Sequence, residues 1–535
     1  ISLLGEMPTL HWIGKDKVIN HHMDVPFKVL EHSYGFDNGK QTDKETNSGN
    51  KIIHGDNLEA LKALLPEYEG RIKCIYIDPP YNTGNENWVY NDNLNDPKIK
   101  KWLGKVVGKE AEDLTRHDKW LCMMYPRLQL LQKLLKSDGL IFISLDDNEA
   151  VYTKMILDEI FGARNFIQQI IWKNKYGPGA MTKGFGNIHE YILCYSKNPI
   201  TSIEANLSKE EQSKYKLKDQ YFDIRGGYIT QPLATKSKDD RPNLVYPINY
   251  NGTDIYPDKQ WIWSKERMQN AIEKDWLQIN EKNGNFSVRF KQYLRDENGL
   301  MRKGKPISIM TVFFKQKAAY EMVEIFGSKK FDNPKPVALI EYLLSMIVNG
   351  NEDKKGIYLD SFAGSGTTAH AVLNLNKQDG GNREFICIEM MDYAETITAE
   401  RIKTVINGYG IVEGTKGNFN FYELGQPMFL ENGNLNEIVG DDNIRQFIYY
   451  TETKTPLTET KHKDNKHFLG KNNDTAYYFN YEQDEVTTLD HAFLATMKTK
   501  AEQYVIYADN CLLTKDFMMK HNIIFKKIPR DITRF

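Results

Sequence analysis

The stretch Gly356–Val372 limits what this chain can fold into more than any other. Gly356-Ile357-Tyr358-Leu359-Asp360 reads as a short apolar strand, Ser361-Phe362-Ala363-Gly364-Ser365-Gly366 as a glycine-rich turn, and Thr367-Thr368-Ala369-His370-Ala371-Val372 as the start of a helix. Strand, turn and helix in that order predict an α/β sheet crossed over by helices. Gly364 and Gly366 let the backbone approach a ligand closely, and the amides that open the helix offer donors to a polar or anionic group. A second strand, Glu384-Phe385-Ile386-Cys387-Ile388, ends at Glu389. An acid about 20 residues beyond such glycines is where a ribose diol is held.

Three ligands compete for this segment. A phosphate-binding P-loop needs a lysine after its last glycine, and Thr367 stands there, so ATP is not expected. A dinucleotide fits the loose pattern Gly364-x-Gly366-x-x-Ala369 with Glu389. S-adenosylmethionine, held by similar glycines and an acidic ribose ligand, is the third.

A second feature concerns chemistry. Cys74-Ile75-Tyr76-Ile77 reads as a buried parallel strand, and it runs into Asp78-Pro79-Pro80-Tyr81. The prolines cannot donate to a sheet and must stop it. Ligands of open α/β sheets bind outside the carboxyl ends of strands, so a rigid turn there would hold Asp78 as a hydrogen-bond acceptor and Tyr81 as a stacking face. That pair suits an exocyclic amine on a flat base. The bland alternative is a strand terminator, with Asp78 capping the segment after it and Tyr81 packing.

Taken together, Asp78-Pro79-Pro80-Tyr81 and Asp360-x-Phe362-x-Gly364-x-Gly366-Thr367-Thr368 resemble the amino-group DNA methyltransferases. Gly364 lies 286 positions after Asp78, which is similar to the permuted, β-class motif order. Two further segments match, Ile53-His54-Gly55-Asp56-Asn57-Leu58-Glu59-Ala60-Leu61 and Asn333-Pro334-Lys335-Pro336-Val337-Ala338-Leu339. At the ends of the chain, Thr9-Leu10-His11-Trp12-Ile13-Gly14-Lys15 and Lys526-Lys527-Ile528-Pro529-Arg530-Asp531-Ile532 resemble the modification subunits of type III restriction systems.

The resemblance implies a doubly wound, mostly parallel, seven-stranded methyltransferase sheet, Rossmann-like and circularly permuted, with an inserted target recognition domain and a C-terminal domain. It implies adenine-N6 methylation of double-stranded DNA with S-adenosylmethionine and no metal. Asp78, Pro79, Pro80 and Tyr81 are then catalytic. Asp56, Lys335, Pro336, Asp360, Phe362, Ala363, Gly364, Ser365, Gly366, Thr367 and Glu389 would hold the cofactor. A homodimer and a separate restriction (helicase-nuclease) subunit are the implied protein partners, the latter because no nucleotide-hydrolysing motif stands in this chain.

Composition agrees with a multidomain globular protein. At 535 residues, with 40% hydrophobic and 27% charged residues, the chain exceeds a single core and suggests about three domains. Five cysteines, 74, 122, 194, 387 and 511, lack metal-ligand spacing and read as reduced core thiols of a cytoplasmic protein. No apolar stretch approaches the ~18 residues of a membrane span. The first residue is Ile1, so a short N-terminal piece is expected to be missing.

The net charge of −2 does not announce a polyanion partner, so DNA contacts must come from local excesses. Lysines and arginines across 98–119 are offset by four acids and read as a solvated helix face. The better candidate is 172–184, glycine-rich, basic and aromatic, with Lys173, Asn174, Lys175, Tyr176 and Lys183 placed to follow a backbone or meet splayed bases.

The organisation expected is an N-terminal arm over 1–50, a catalytic half over 51–200, a target recognition domain over 201–330, a cofactor half over 331–425 and a C-terminal domain over 426–535, which could serve dimerisation or subunit contact. A helix is expected over Pro126–Lys136 with its proline in the first turn, followed by a strand over Gly139–Leu145. Asp146-Asp147-Asn148-Glu149 reads as a helix start rather than a metal site, and His462 and His467 as part of a solvated loop. Phe313–Glu321 fits neither a period nor a motif. Two other functions are kept open. One is a DNA-binding scaffold without activity; the other is methylation of RNA or of a protein amide, whose related sites usually open with Asn rather than Asp.

Overall fold

The computed structural model describes residues 9–83, 97–109, 114–178, 184–236, 239–457 and 465–532. It divides into two compact units, one running to Ile203 and resuming at Ile307, the other Glu204–Pro306.

The larger unit is built on one eleven-stranded sheet. In chain order its strands are β1 (Lys28–Asp37), β2 (Lys40–Thr42), β3 (Lys51–His54), β4 (Ile72–Ile77), β5 (Leu135–Leu145), β6 (Phe166–Lys173), β7 (His189–Ser196), β8 (Ile309–Met310), β9 (Ile357–Asp360), β10 (Glu384–Glu389) and β11 (Asn418–Pro427). In space they run β8-β6-β7-β5-β4-β9-β10-β3-β11-β1-β2. Strands β5, β4, β9, β10, β3 and β11 are mutually parallel, and β7 is antiparallel to both its neighbours. The seven strands from β6 to β3 supply the doubly wound core read from the sequence. Four more extend it, β8 at one edge and β11, β1 and β2 at the other.

The helices that bear on the sheet and its strand ends include α1 (Asn57–Tyr68), α2 (Arg116–Leu134), α3 (Ala150–Leu157), α4 (Lys315–Phe326), α5 (Val337–Leu344), α6 (Thr367–Asp379) and α7 (Glu400–Asn407). The central strands are apolar at successive positions because both faces are covered. Ile75, Ile77, Ile141, Ile143, Leu359 and Ile386 face a core with Leu61 of α1, Leu128 of α2 and Ile156 of α3. Cys74, Tyr76, Phe142, Tyr358 and Phe385 face the opposite core with Ile340 of α5, Val372 of α6 and Ile402 of α7.

Three expectations are corrected. The first fifty residues are more than an arm: β1 pairs antiparallel with β11 along most of its length, and Tyr34 stacks on Phe421 at 5.1 Å. Helix α2 begins ten residues before Pro126, at a capping box in which Thr115 and Asp118 satisfy each other's backbone amides. The buried run Trp120–Tyr125 carries it into Pro126, whose missing N–H the helix tolerates in its interior. The compact unit inside 201–330 is narrower than that range, because Ile309 and Met310 pair with Ile171 and Trp172 at the sheet edge.

The smaller unit has a three-stranded antiparallel sheet of Tyr228–Pro232, Asn285–Tyr293 and Leu277–Lys282, with the helix Lys265–Glu273 capped by Ser264. Its core gathers Leu233, Tyr246, Ile248, Trp261, Trp263 and Met268. The indole of Trp261 donates to the Tyr246 carbonyl at 2.8 Å, and the Tyr246 hydroxyl donates to the Trp263 carbonyl at 2.8 Å.

After β11 the chain forms α8 (Asp441–Thr453) and a four-stranded sheet, β12 (Phe468–Asn472), β13 (Thr475–Phe479), β14 (Gln503–Ala508) and β15 (Ile523–Lys527). Phe447 of α8 meets Phe27 at 4.9 Å, and the Tyr450 hydroxyl donates to Glu69 just beyond α1. His467 packs on Phe493, and His462 lies outside the described residues. No helix among the described residues is long and apolar enough to cross a membrane.

Candidate active site

From β4 the chain crosses to β5 on one side of the sheet, and from β9 it crosses to β10 on the other. The β4–β9 boundary is therefore a topological switch point, where strand ends leave a crevice for a ligand. Asp78 comes directly after β4, Asp360 closes β9 and Glu389 closes β10, so three adjacent parallel strands end on carboxylates.

Each carboxylate has different partners. Asp78 Oδ2 accepts from Lys335 Nζ, while Asp78 Oδ1 is buried and takes no hydrogen bond from any described residue. The Lys335 side chain is 4% exposed and its ammonium lies 5.0 Å from the Tyr81 ring centroid. The sequence reading put Lys335 on the cofactor; its ammonium lies between Asp78 and the Tyr81 ring, while Pro336 serves as the N-cap position of α5.

Asp360 is oriented inward. Its Oδ1 accepts from the Phe362 amide at 3.0 Å and its Oδ2 from the Thr368 hydroxyl at 2.5 Å, which ties the strand to the start of α6. Burial, with Asp78 and Glu389 nearby, raises its carboxyl to about 7 against these two hydrogen bonds. Glu389 accepts from the Gly364 amide at 2.8 Å and the Met391 amide at 3.0 Å, and burial raises it as well.

The glycine loop is held from several sides. Gly364 has φ +52° and Gly366 φ +78°, in the left-handed region where a β-carbon is costly. Ala363 donates its amide to Ile388, and the Thr398 hydroxyl donates to the Gly364 carbonyl at 2.6 Å. The fully buried Arg401 donates to the Ser365 hydroxyl at 2.8 Å and the Thr367 hydroxyl at 3.0 Å. Phe362 is the half-buried member of the loop. The Ser361 hydroxyl is buried and takes no partner among the described residues.

Asp56 caps α1, accepting from the Leu58 and Glu59 amides, and lies 3.5 Å from the buried Arg127. Arg127 also donates to Asn57, which donates to the Ser361 carbonyl at 3.0 Å. The segment around Asp56 is thus joined to the glycine loop.

The Asp-Pro-Pro-Tyr turn is fixed by residues that sequence reasoning missed. The indole of Trp120 donates to the Pro80 carbonyl at 2.6 Å. Asn82, at φ +57°, donates to Glu149, which also meets His117 at 2.8 Å. The Tyr81 hydroxyl donates to Glu190 at 3.1 Å. Glu190 carries a readable signal, an acid on the inward parity of an apolar strand. Arg401 is similar, standing in the buried helical stripe of Thr398, Ile402 and Val405.

Of the DNA candidates, Lys175 and Tyr176 are exposed and Lys173 is half-buried. Asn174 is a correction: it is buried and donates to Glu190 at 2.8 Å, which removes it from a surface role. Lys183 lies outside the described residues.

A family model described as DNA methylase matches residues 72–400. The Mod subunit of the type III enzyme StyLTI of Salmonella typhimurium is 36% identical over 357 residues, covering 64% of this chain and 52% of that protein. The EcoPI Mod subunit of Escherichia phage P1 is 33% identical over 429 residues, covering 73% and 64%. The type II methyltransferase M.KpnI of Klebsiella pneumoniae is 33% identical over 382 residues, covering 68% and 85%. The chain thus spans about half to two thirds of the length of these two type III subunits. With strand ends, glycine loop and Asp-Pro-Pro-Tyr turn meeting at one crevice, and with these relatives, the chain belongs to the DNA methylase family, type III modification subunits being among its kin.

Proposed function

We propose that this chain transfers a methyl group from S-adenosylmethionine to adenine N6 in double-stranded DNA, as the modification subunit of a type III restriction-modification system. The observation that carries this reading is Asp78 at the switch point, one oxygen bonded to Lys335 and the other buried and free to accept. The residues fit the cofactor: two left-handed glycines, an unpartnered Ser361 hydroxyl and the Asp360 and Glu389 carboxylates lie together at the ends of β9 and β10. Phe362, Gly364, Ser365, Gly366, Thr367 and Glu389 are the groups assigned to hold it, with Asp56, Asp360, Ala363 and Pro336 shaping their loops. The cofactor, when bound, supplies an electrophilic methyl on a sulfonium.

The target amine is conjugated into the adenine ring and nearly planar. Asp78 Oδ1 and the Pro79 carbonyl would accept its two hydrogens and favour a pyramidal, more nucleophilic nitrogen. The base must leave the duplex first, at a cost of a few kcal/mol. Stacking on Tyr81 returns about 1–3 kcal/mol, so contacts to flanking phosphates must add to it. Lys173, Lys175 and Tyr176 are the groups proposed for that task, and the compact unit Glu204–Pro306 is proposed to read the target sequence.

The assembly proposed is a homodimer in a cytoplasmic restriction system, with translocation and cleavage left to a separate restriction subunit. Sequencing methylated bases in the genome of a host that expresses this one gene tests the reading. N6-methyladenine at one defined motif is expected; a methylome identical to that of the empty host refutes it.

A further inference from the structure

Glu190 is 6% exposed on β7, and three donors from distant parts of the chain converge on it. The Tyr81 hydroxyl bonds Oε2 at 3.1 Å, and Asn174 Nδ2 bonds Oε1 at 2.8 Å. Lys315 Nζ forms an ion pair with Oε1. Residues 313–315, which lead into α4, are further tied to the end of β6. The Lys315 amide donates to the Asn174 carbonyl at 3.0 Å, the Trp172 indole donates to the Phe313 carbonyl, and Phe314 stacks on the exposed Tyr176 at 3.9 Å.

A buried carboxylate costs several kcal/mol unless it is paired and hydrogen-bonded. A phenylalanine at position 81 would fill the same space with no acceptor required. The tyrosine hydroxyl together with its acidic acceptor therefore points to a demand for fixed ring orientation. Lys335 lies against the same ring, so one aromatic side chain is restrained at both its tip and its face. Burial would raise the Glu190 carboxyl, but Lys315, Lys335 and the Tyr81 hydroxyl outweigh it and hold the group below the usual range.

We propose that Glu190 is a positioning residue of the base pocket: it fixes the Tyr81 ring for stacking against the target base, with Lys315 as its counter-ion. The same pair holds the segment bearing Tyr176 and Phe314 in register with the catalytic turn. This inference rests on the reading of the chain as a DNA methyltransferase.

The test compares the wild type with Tyr81→Phe, Glu190→Gln, both together, and Glu190→Gln combined with Lys315→Met. Each protein is assayed for kcat and KM on duplex DNA carrying the host-determined target site, and for S-adenosylmethionine affinity by calorimetry. Tyr81→Phe and Glu190→Gln should each lower kcat roughly tenfold, since small errors of orientation cost that much or more. Cofactor affinity should stay within about twofold, and the double variant should be no worse than the poorer single one, because both changes act on one contact, Tyr81→Phe by removing its donor and Glu190→Gln by replacing its charged acceptor with a weaker neutral amide. Adding Lys315→Met to Glu190→Gln should restore part of the turnover by removing the unpaired cation. Wild-type kcat in Tyr81→Phe, which leaves the Glu190–Lys315 pair intact, or additive losses in the double variant, would overturn the proposal. A wild type that methylates no DNA overturns the functional reading and this inference with it, whereas an active wild type with unaffected variants removes the inference alone.

Discussion

Replacing Asp360 by Asn should make the protein more stable at alkaline pH. The side chain is 3% exposed, and burial has raised its carboxyl from 3.8 to about 7. The folded state therefore binds this proton more tightly than the unfolded chain does. For an acid raised in this way stability is intact below about pH 4 and is lost as pH rises toward 7, the reverse of an aspartate in a salt bridge. The interval from 3.8 to about 7, at roughly 1.4 kcal/mol per pH unit, corresponds to about 4 kcal/mol of lost stability above pH 7. Asn has no charge to desolvate, still accepts from the Phe362 amide, and can turn its amide toward the Thr368 hydroxyl as donor. In urea unfolding monitored by tryptophan fluorescence, the variant's advantage should widen by roughly 3 kcal/mol between pH 5 and pH 8. Taking the difference between variant and wild type cancels the titration of groups that do not interact with Asp360, leaving Asp360 and its neighbours Asp78 and Glu389. Parallel curves across that range would show that Asp360 does not carry the raised affinity for its proton.

The same geometry sets other outcomes. Asp78→Ala should lower methyl transfer by roughly 10² to 10⁴-fold while cofactor affinity holds, and an equal loss of both would remove Asp78 from its role at the amine. Gly364→Val places a β-branched residue at φ +52°, so S-adenosylmethionine binding measured by calorimetry should disappear; near-normal binding would move the site elsewhere. Exchanging residues 204–306 for the matching segment of a relative should change the methylated motif and leave adenine N6 as the modified atom, and persistence of the original motif would mean another segment reads the bases.

The features legible in the sequence are local ones. Strand, glycine turn and helix over Gly356–Val372, and a strand stopped by Pro79 and Pro80, need only neighbouring residues to be recognised, and both stand as expected. The β1 strand is hidden because it lies among polar residues, and its apolar positions gain meaning only opposite Phe419 and Phe421, nearly four hundred residues away. Lys335 lies in a motif associated with the cofactor, and only the fold reveals its pairing with Asp78. Phe313–Glu321 has no period because its first residues serve tertiary contacts: Phe313 through its carbonyl, Phe314 through stacking, Lys315 through Glu190.

Chain order and sheet order are independent here, and this explains how a permuted arrangement keeps its chemistry. Asp78 and Asp360 are far apart in sequence, yet β4 and β9 are hydrogen-bonded neighbours. Cutting and rejoining the chain at different connections leaves that neighbourhood unchanged, provided the switch point survives. In the chain the Glu204–Pro306 unit is inserted between β7 and β8, outside the run from β9 to β10 that carries the glycine loop. Constraint returns where the chain re-enters the sheet. Immediately after β8, Phe313, Phe314 and Lys315 bind Trp172, Tyr176 and Glu190, and Glu190 holds Tyr81. A change in the segment that precedes β8 leaves the Asp-Pro-Pro-Tyr turn undisturbed only while these few contacts are kept.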